Sequence, residues 1–413
     1  MRIEILNTGT ELLLGSTLNT HGHWMGDQLL KLGLRVQRQT TVPDGEAIQV
    51  AMEESVQRCD ALIVTGGLGP TSDDLTREAT AEVIGVEMIE DEQAVRTMRE
   101  FFAKRGYGAM PEANRKQALV PVGADVLPNP NGTAPGVYVP PRLGKASACA
   151  IFLLPGPPRE LHPMFEAEVV PRLRALAGIE KAGEVVELKF VGIGESSFHE
   201  GVDEELQGIE GLEFGYCARL GELDLRLMGS PEVIVKAREL AEGAFGKYLV
   251  SDDGRGLPEV VVQELKERGI RLAVAESCTG GLIADRLTDV PGASEALTFG
   301  FVVYANRAKE VLLGVSAGSL EQFGAVSEEV CREMVLGALE RSGAEIAVAV
   351  TGIAGPGGGS EEKPVGTVFL GIGQRGEEPV VIRQCHPRNR RSFKQQVSQS
   401  VLELVRRKVL KMS

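Results

Sequence analysis

Over its first 170 or so residues the chain alternates short apolar runs with amphipathic ones, and this alternation narrows the fold more than any other feature. "RIEIL" reads as a strand and "HWMGDQLLKLGL" as a helix; "VQRQTTV", "AIQVAMEESVQRC", "ALIVT" and "LTREATAEVIG" continue as strand, helix, strand and helix. Strand and helix patterns exchanging at this spacing predict an α/β, doubly wound, largely parallel sheet. Such sheets bind ligands beyond the carboxyl ends of their strands. Three of those ends carry unusual loops: "NTGTELLLG" at 7–15, "TGGLGPTSDD" at 65–74 and "LPGPPREL" at 154–161.

The pattern then changes. Between 173 and 252, "VVELKFVGIG" and "GELDLRLMG" read as strands and "SPEVIVKARELAEGAFG" as a helix, a small α+β module. The polar, glycine-containing "SDDGRG" at 251–256 is the predicted linker, after which "GRGLPEVVVQEL" opens a last α/β domain over 253–413. Domains at 1–172, 173–252 and 253–413 suit a chain of 413 residues, since each can bury its own core. Lys and Arg number 44 against 58 Asp and Glu, and the net charge of −14 repels a nucleic-acid backbone. The basic runs "RNRR" at 388–391 and "RRK" at 406–408 are short and read as solvated helix faces. The N-terminus lacks the apolar core of a signal peptide, and no apolar run is long enough to span a bilayer, so a cytoplasmic protein without membrane contact is expected. Six scattered cysteines without a C-x-x-C pair predict reduced thiols, with neither a disulfide framework nor a zinc site.

In "TGGLGPTSDD", Gly66, Gly67 and Gly69 let the backbone approach a ligand, with amides available to an anion ahead of a helix. Asp73 and Asp74 stand at the helix start; one aspartate suffices for capping, and a pair also suits a divalent cation held through oxygen. The P-loop lysine is missing and G-x-G-x-x-G is not completed, so by spacing alone phosphate binding and an ordinary tight turn stand level. A resemblance adds to this. "TGTELLLG", "LNT", "TGGLGPTSDDLTRE", "MPEANRKQALVP", "NPNGTAPG" and "LLPGPPREL" resemble, in order, the motifs of the N-terminal domain of the CinA family, which has a molybdopterin-binding, MogA/MoeA-like fold. The resemblance implies ADP-ribose pyrophosphatase activity supported by a divalent metal (cobalt or magnesium) and potassium. It implies Asp73 and Asp74 as metal ligands, Gly66, Gly67, Gly69 and Thr71 as a phosphate cradle, and Glu11, Asn114 and Asn129 as further lining of that pocket. His21 stands where the family usually has asparagine. Residues 175–250 resemble the family's KH-like insertion, but no basic G-x-x-G loop is present and "HEGVDEELQGIEGLE" is acidic. A structural or dimer-forming role is expected there, not RNA binding.

"AVAESCTGGLIADRLTDV", from Ala273, places Glu276, Ser277, Cys278 and Thr279 between an apolar run and a helix opened by Gly280 and Gly281. A serine hydroxyl needs a base to take its proton. No G-x-S-x-G elbow frames Ser277, and His386 is remote in sequence. A lysine whose pKa is lowered by burial can serve, in a Ser-Lys variant of the triad. Lys309 lies 32 residues on, which is not the S-x-x-K spacing, so the fold has to bring the two together. Taken singly, Tyr304 reads as a core or interface aromatic, Lys309 as a surface residue, and "TGIAGPGGGSEEKPVGTV" as a connection. Together, "AESCTGG", "GFVVYANRAK", "FGAVSEEV", "TGIAGPGGGSEEKPVGTV" and "NRR" resemble the PncC-type domain at the C-terminus of CinA proteins, over about 255–413. This implies deamidation of nicotinamide mononucleotide to nicotinate mononucleotide and ammonia, without a cofactor, in a homodimer. Ser277 would be the nucleophile, Lys309 the base and Tyr304 an aid to proton transfer. Glu276, Thr279, Gly280, Gly281, Thr351, Gly352 and Arg390 would surround the substrate, with Thr279–Gly281 on the oxyanion side. Arg390 is assigned from the cluster Arg388, Arg390 and Arg391.

Two rivals follow from the same residues. Cys278 would make the protein a cysteine hydrolase. Alternatively, only the deamidase is active, and the N-terminal domain binds nucleotides or serves a protein partner in competence or DNA damage.

Overall fold

Three strands, β1 (Ile3–Thr8), β3 (Ala61–Thr65) and β8 (Ala150–Leu154), are buried at every residue, as expected for parallel strands covered on both faces. They belong to a computed structural model that describes residues 1–106, 108–144, 148–179 and 184–412, in two compact units, Met1–Val185 and Val186–Ser413. In the first unit β2 (Val36–Val42), β1, β3 and β8 run parallel, in that order. Alternate residues serve opposite cores. Leu62 and Val64 pack with Ile48, Met52 and Ile84 of the helices Ala47–Val56 and Thr76–Ile84. Ala61 and Ile63 pack with Met25 and Leu29 of the helix His21–Lys31, and with Leu161 and Phe165.

The sheet is mixed. A short antiparallel pair, β4 (Met88–Glu90) with β5 (Leu119–Pro121), lies apart from it. Beyond β8, β7 (Gly136–Val139) and β6 (Asp125–Leu127) continue the main sheet antiparallel. Strands of three and four residues are too short for a two-residue alternation to register, so a pattern reading misses them.

The second unit begins with a four-stranded sheet in the order β10 (Glu213–Arg219), β11 (Glu222–Gly229), β9 (Glu184–Val191), β12 (Leu249–Ser251). The helices Glu195–Gln207 and Pro231–Phe245 cover one face through Phe198, Val202, Ile234 and Ala237. The stretch predicted as a linker is folded: Ser251 Oγ donates to Arg255 O at 2.6 Å, and Val191 and Val250 pack into the core that follows. That core surrounds a five-stranded sheet, β14 (Leu297–Val302), β13 (Leu272–Glu276), β15 (Ile346–Gly352), β16 (Thr367–Gln374), β17 (Val380–Cys385). The first three strands are parallel and the last two antiparallel. No helix among the described residues is long and apolar enough to cross a membrane.

Candidate functional site

The carboxyl ends of β13, β14 and β15 meet at one place. β13 delivers Glu276 and then Ser277, whose amide donates to Val350 O of β15 at 3.1 Å. After β14 the chain passes through Val303 and Tyr304 into the helix Asn306–Leu313, which carries Lys309. Lys309 Nζ lies 3.2 Å from Ser277 Oγ, 2.9 Å from Val303 O and 3.3 Å from Tyr304 O. The lysine is 1% exposed and the serine 8%.

Those partners determine the useful protonation state. Both carbonyls can only accept. A neutral amine has two hydrogens and one lone pair, so once the hydrogens point at the carbonyls the lone pair faces the Ser277 hydroxyl. Burial lowers the Lys309 pKa from its ordinary 10.5, which favours that neutral form. No carboxylate forms an ion pair with Lys309 among the described residues to oppose the shift.

Around this pair the predicted residues separate. Tyr304 is 59% exposed, and its Oη accepts from Arg390 Nη2 at 2.7 Å, while Arg390 Nη1 donates to Gly355 O at 3.2 Å. Of the three clustered arginines, Arg390 thus joins Tyr304 to the glycine-rich loop after β15. Glu276 is committed to the backbone. Its carboxylate is buried and accepts from the amides of Gly281, Ile283 and Ala284 at 3.0, 3.1 and 2.8 Å, anchoring the start of the helix Leu282–Thr288. That removes Gly281 from the oxyanion side, and Gly280 N is committed to Ser277 O at 3.1 Å. The amides of Cys278 and Thr279 have no acceptor among the described residues and are the donors left in this turn. The Thr279 side chain is buried, with its hydroxyl unpartnered. Thr351 Oγ1 donates to Ala325 O at 2.6 Å, so its hydroxyl braces a loop. Gly352 is required where β15 closes on β16, since a Cβ there would lie 2.8 Å from Thr367 O. Cys278 is buried, and burial pushes its thiol up to about 12, leaving almost no thiolate at neutral pH.

The first unit carries a second constellation, a cavity of about 420 Å³ at the ends of β1, β3 and β8. Gly66, Gly67, Gly69, Asp73, Asp74 and Glu11 line it. Here the loop carbonyls are held from behind. Thr76 Oγ1 donates to Gly66 O, the buried Arg77 to Leu68 O and Gly69 O, Gln117 Nε2 to Leu68 O, and Lys116 Nζ to Thr71 O and Asp74 O. With those carbonyls occupied, the amides of Gly67, Leu68 and Gly69 have no acceptor among the described residues and form an anion nest. Thr71 does not line the cavity; its hydroxyl donates toward Asp73 and Asp74, and this hydrogen bond holds the Asp73 carboxyl below the usual range. Asn114 and Asn129 do not line it either. Each stands one residue behind, Asn114 bonded to Gln117 at 2.9 Å and Asn129 to Glu160 at 2.8 Å, and those partners do line the cavity. Gln117 and Glu160 sit inside the quoted motifs, yet nothing in their type sets them apart from capping residues. His21 Nε2 contacts Gly156 O at 2.5 Å and so braces the loop after β8; burial lowers its pKa.

Two family descriptions match, "CinA C-terminal domain" over residues 255–409 and "Probable molybdopterin binding domain" over residues 4–175. A CinA-like protein of Akkermansia muciniphila is 51% identical over 402 residues, which cover 97% of this chain and 96% of that protein. The chain belongs to the CinA family. Another member, a putative competence-damage inducible protein of Caldicellulosiruptor bescii, is 43% identical over 99% of this chain and 100% of its own. Among solved structures, the competence/damage inducible protein CihA of Agrobacterium tumefaciens is 42% identical and covers 37% of this chain and 94% of that one, with a TM-score of 0.35.

Proposed function

We propose that this CinA-family protein deamidates nicotinamide mononucleotide to nicotinate mononucleotide and ammonia at the Ser277–Lys309 site. The observation that carries the reading is the buried Lys309 amine 3.2 Å from Ser277 Oγ, its hydrogens committed to two carbonyls. Ser277 Oγ attacks the carboxamide carbon as its proton passes to Lys309 Nζ. The oxyanion falls to the amides of Cys278 and Thr279. Lys309 returns the proton to the leaving nitrogen and ammonia departs, leaving an ester on Ser277. Water, deprotonated by the same amine, cleaves that ester to the carboxylate and regenerates the serine. Tyr304, tied to Arg390, fixes the rim. Incubation with nicotinamide mononucleotide tests the reading: ammonia and nicotinate mononucleotide are expected in equal amounts, and neither from Ser277→Ala. Native protein that releases no ammonia would reject the reading.

The first unit supports hydrolysis of ADP-ribose, because its nest of amides is open to a diphosphate and two carboxylates stand beside it. Asp73 and Asp74 receive hydrogen bonds only from Thr71 among the described residues, which leaves oxygen lone pairs suited to a hard divalent cation. No group of three or more His, Cys, Asp or Glu gathers among the described residues, so the remaining ligands would be phosphate oxygens and water. When bound, such a cation neutralises diphosphate charge and acidifies a coordinated water. The loop amides bind and orient the phosphates in a cavity that Glu11 and the buried Glu160 also line. Product analysis with ADP-ribose, cobalt or magnesium, and potassium tests this part. The protein is further proposed to be a homodimer, a reading supported by Phe299, Val302, Val311 and Leu312, apolar and exposed along the edge strand β14 and the helix after it.

A further inference from the structure

Lys394 is a cation without an assigned task. It lies on the helix Arg390–Leu410, one turn after Arg390 and on the same face. It is half-buried, and no hydrogen bond or ion pair engages its ammonium among the described residues. Its Nζ stands 3.7 Å from the point where a Cβ on Gly280 would sit. Gly280 closes the turn whose first residue is Ser277, its amide donating to Ser277 O, so the ammonium hangs over the nucleophile's own turn. Arg390 meets Tyr304, whose carbonyl also takes a hydrogen bond from Lys309. Two cations one helical turn apart therefore stand beside residues that adjoin the dyad, one at Gly280 and one at Tyr304.

No acid among the described residues pairs with either cation. The first turn of the helix holds no acidic residue, although its dipole would favour one. The nearest carboxylate in the turn, Glu276, is buried and taken up by three amides. A half-buried ammonium beside a guanidinium, with no counter-ion among the described residues, fits an anion carried by the ligand itself.

We propose that Lys394 binds the phosphate of the nucleotide together with Arg390, and so makes this amidase select phosphorylated over unphosphorylated carboxamide ribosides. The proposal rests on the deamidase reading and specifies which substrate group the helix Arg390–Leu410 recognises. Lys394 makes no contact with Ser277 Oγ or Lys309 Nζ among the described residues, so its removal acts on binding and leaves the chemical step in place.

Steady-state kinetics on native, Lys394→Gln and Lys394→Arg protein, with nicotinamide mononucleotide and with nicotinamide riboside, tests it. Lys394→Gln should raise KM for the mononucleotide by about tenfold to a hundredfold, the weight of one charge-assisted contact. It should leave kcat within a few-fold and the riboside's kcat/KM unchanged, and Lys394→Arg should recover most of the loss. An unchanged mononucleotide KM, or equal losses on both substrates, overturns the proposal. Calorimetric titration with nicotinate mononucleotide, which does not turn over, separates the two readings. Binding weakened by Lys394→Gln in a protein without deamidase activity would reject the amidase and keep the phosphate contact. Binding unaffected in an active enzyme would reject the contact alone.

Discussion

Replacing Lys309 with methionine keeps an unbranched apolar stem of similar reach and removes the amine. If Nζ is the base, the loss is that of a positioned proton acceptor, about 10²–10⁴-fold in kcat, or roughly 3–5 kcal/mol of barrier. The structural cost is smaller. Two hydrogen bonds, to Val303 O and Tyr304 O, disappear at about 1 kcal/mol each, offset by no longer burying an amine. Unfolding free energy should therefore stay within about 2 kcal/mol of native while activity collapses. Lys309→Arg should be as inactive, because a guanidinium stays protonated. The pH dependence has a definite sign. Native activity rises as pH passes upward through the lowered Lys309 pKa. Between that value and the ordinary 10.5 the unfolded chain holds a proton that the folded chain lacks, so native stability also rises with pH in that window. Lys309→Met should lose both slopes. Ammonia release across pH and urea unfolding at several pH values measure them. Lys309→Met activity within tenfold of native, in a protein killed by Ser277→Ala, would refute the assignment of the base.

Cys278→Ala should keep activity within about threefold, since its thiol is protonated at neutral pH; an inactive Cys278→Ala beside an active Ser277→Ala would transfer the nucleophile to the thiol. Glu276→Ala strands three amides at the start of the helix Leu282–Thr288 and should cost about 3 kcal/mol in urea unfolding, whereas a change near zero would mean those bonds are idle. Asp73→Asn should abolish metal-dependent release of AMP from ADP-ribose and leave ammonia release intact, with metal titration showing weaker cation dependence. Arg77→Met removes two donors from the glycine-loop carbonyls; it should raise KM for ADP-ribose and lower the first unit's stability by about 2 kcal/mol, and an unchanged KM would show that the loop holds itself.

The alternation of β1 through the helix Thr76–Ile84 was legible because each element is long enough to display its period and is buried on the side that period indicates. The glycine loop and the "ESCTGG" turn were legible for a related reason: unusual residue types were crowded at predicted strand ends. The interior of each site was less so. Thr71, Asn114, Asn129 and Glu276 looked like ligand contacts, and each turned out to brace a residue or an amide beside the site. A side chain that touches a ligand and one that supports its neighbour can be the same type in the same motif, and only direction distinguishes them.

By itself, then, the sequence determined the layered α/β architecture, the strand ends that carry glycine-rich loops, and the residue types available there, because these follow from local period and backbone freedom. Tertiary structure alone decided that Lys309 meets Ser277 across 32 residues, that Arg390 and not its neighbours reaches Tyr304, and that Cys278 is sealed away. Those outcomes depend on how β13, β14 and β15 line up side by side. Burial and hydrogen-bond partners lower the pKa of an ordinary lysine and aim it at a serine, and Ser277 comes from chain that is distant in sequence.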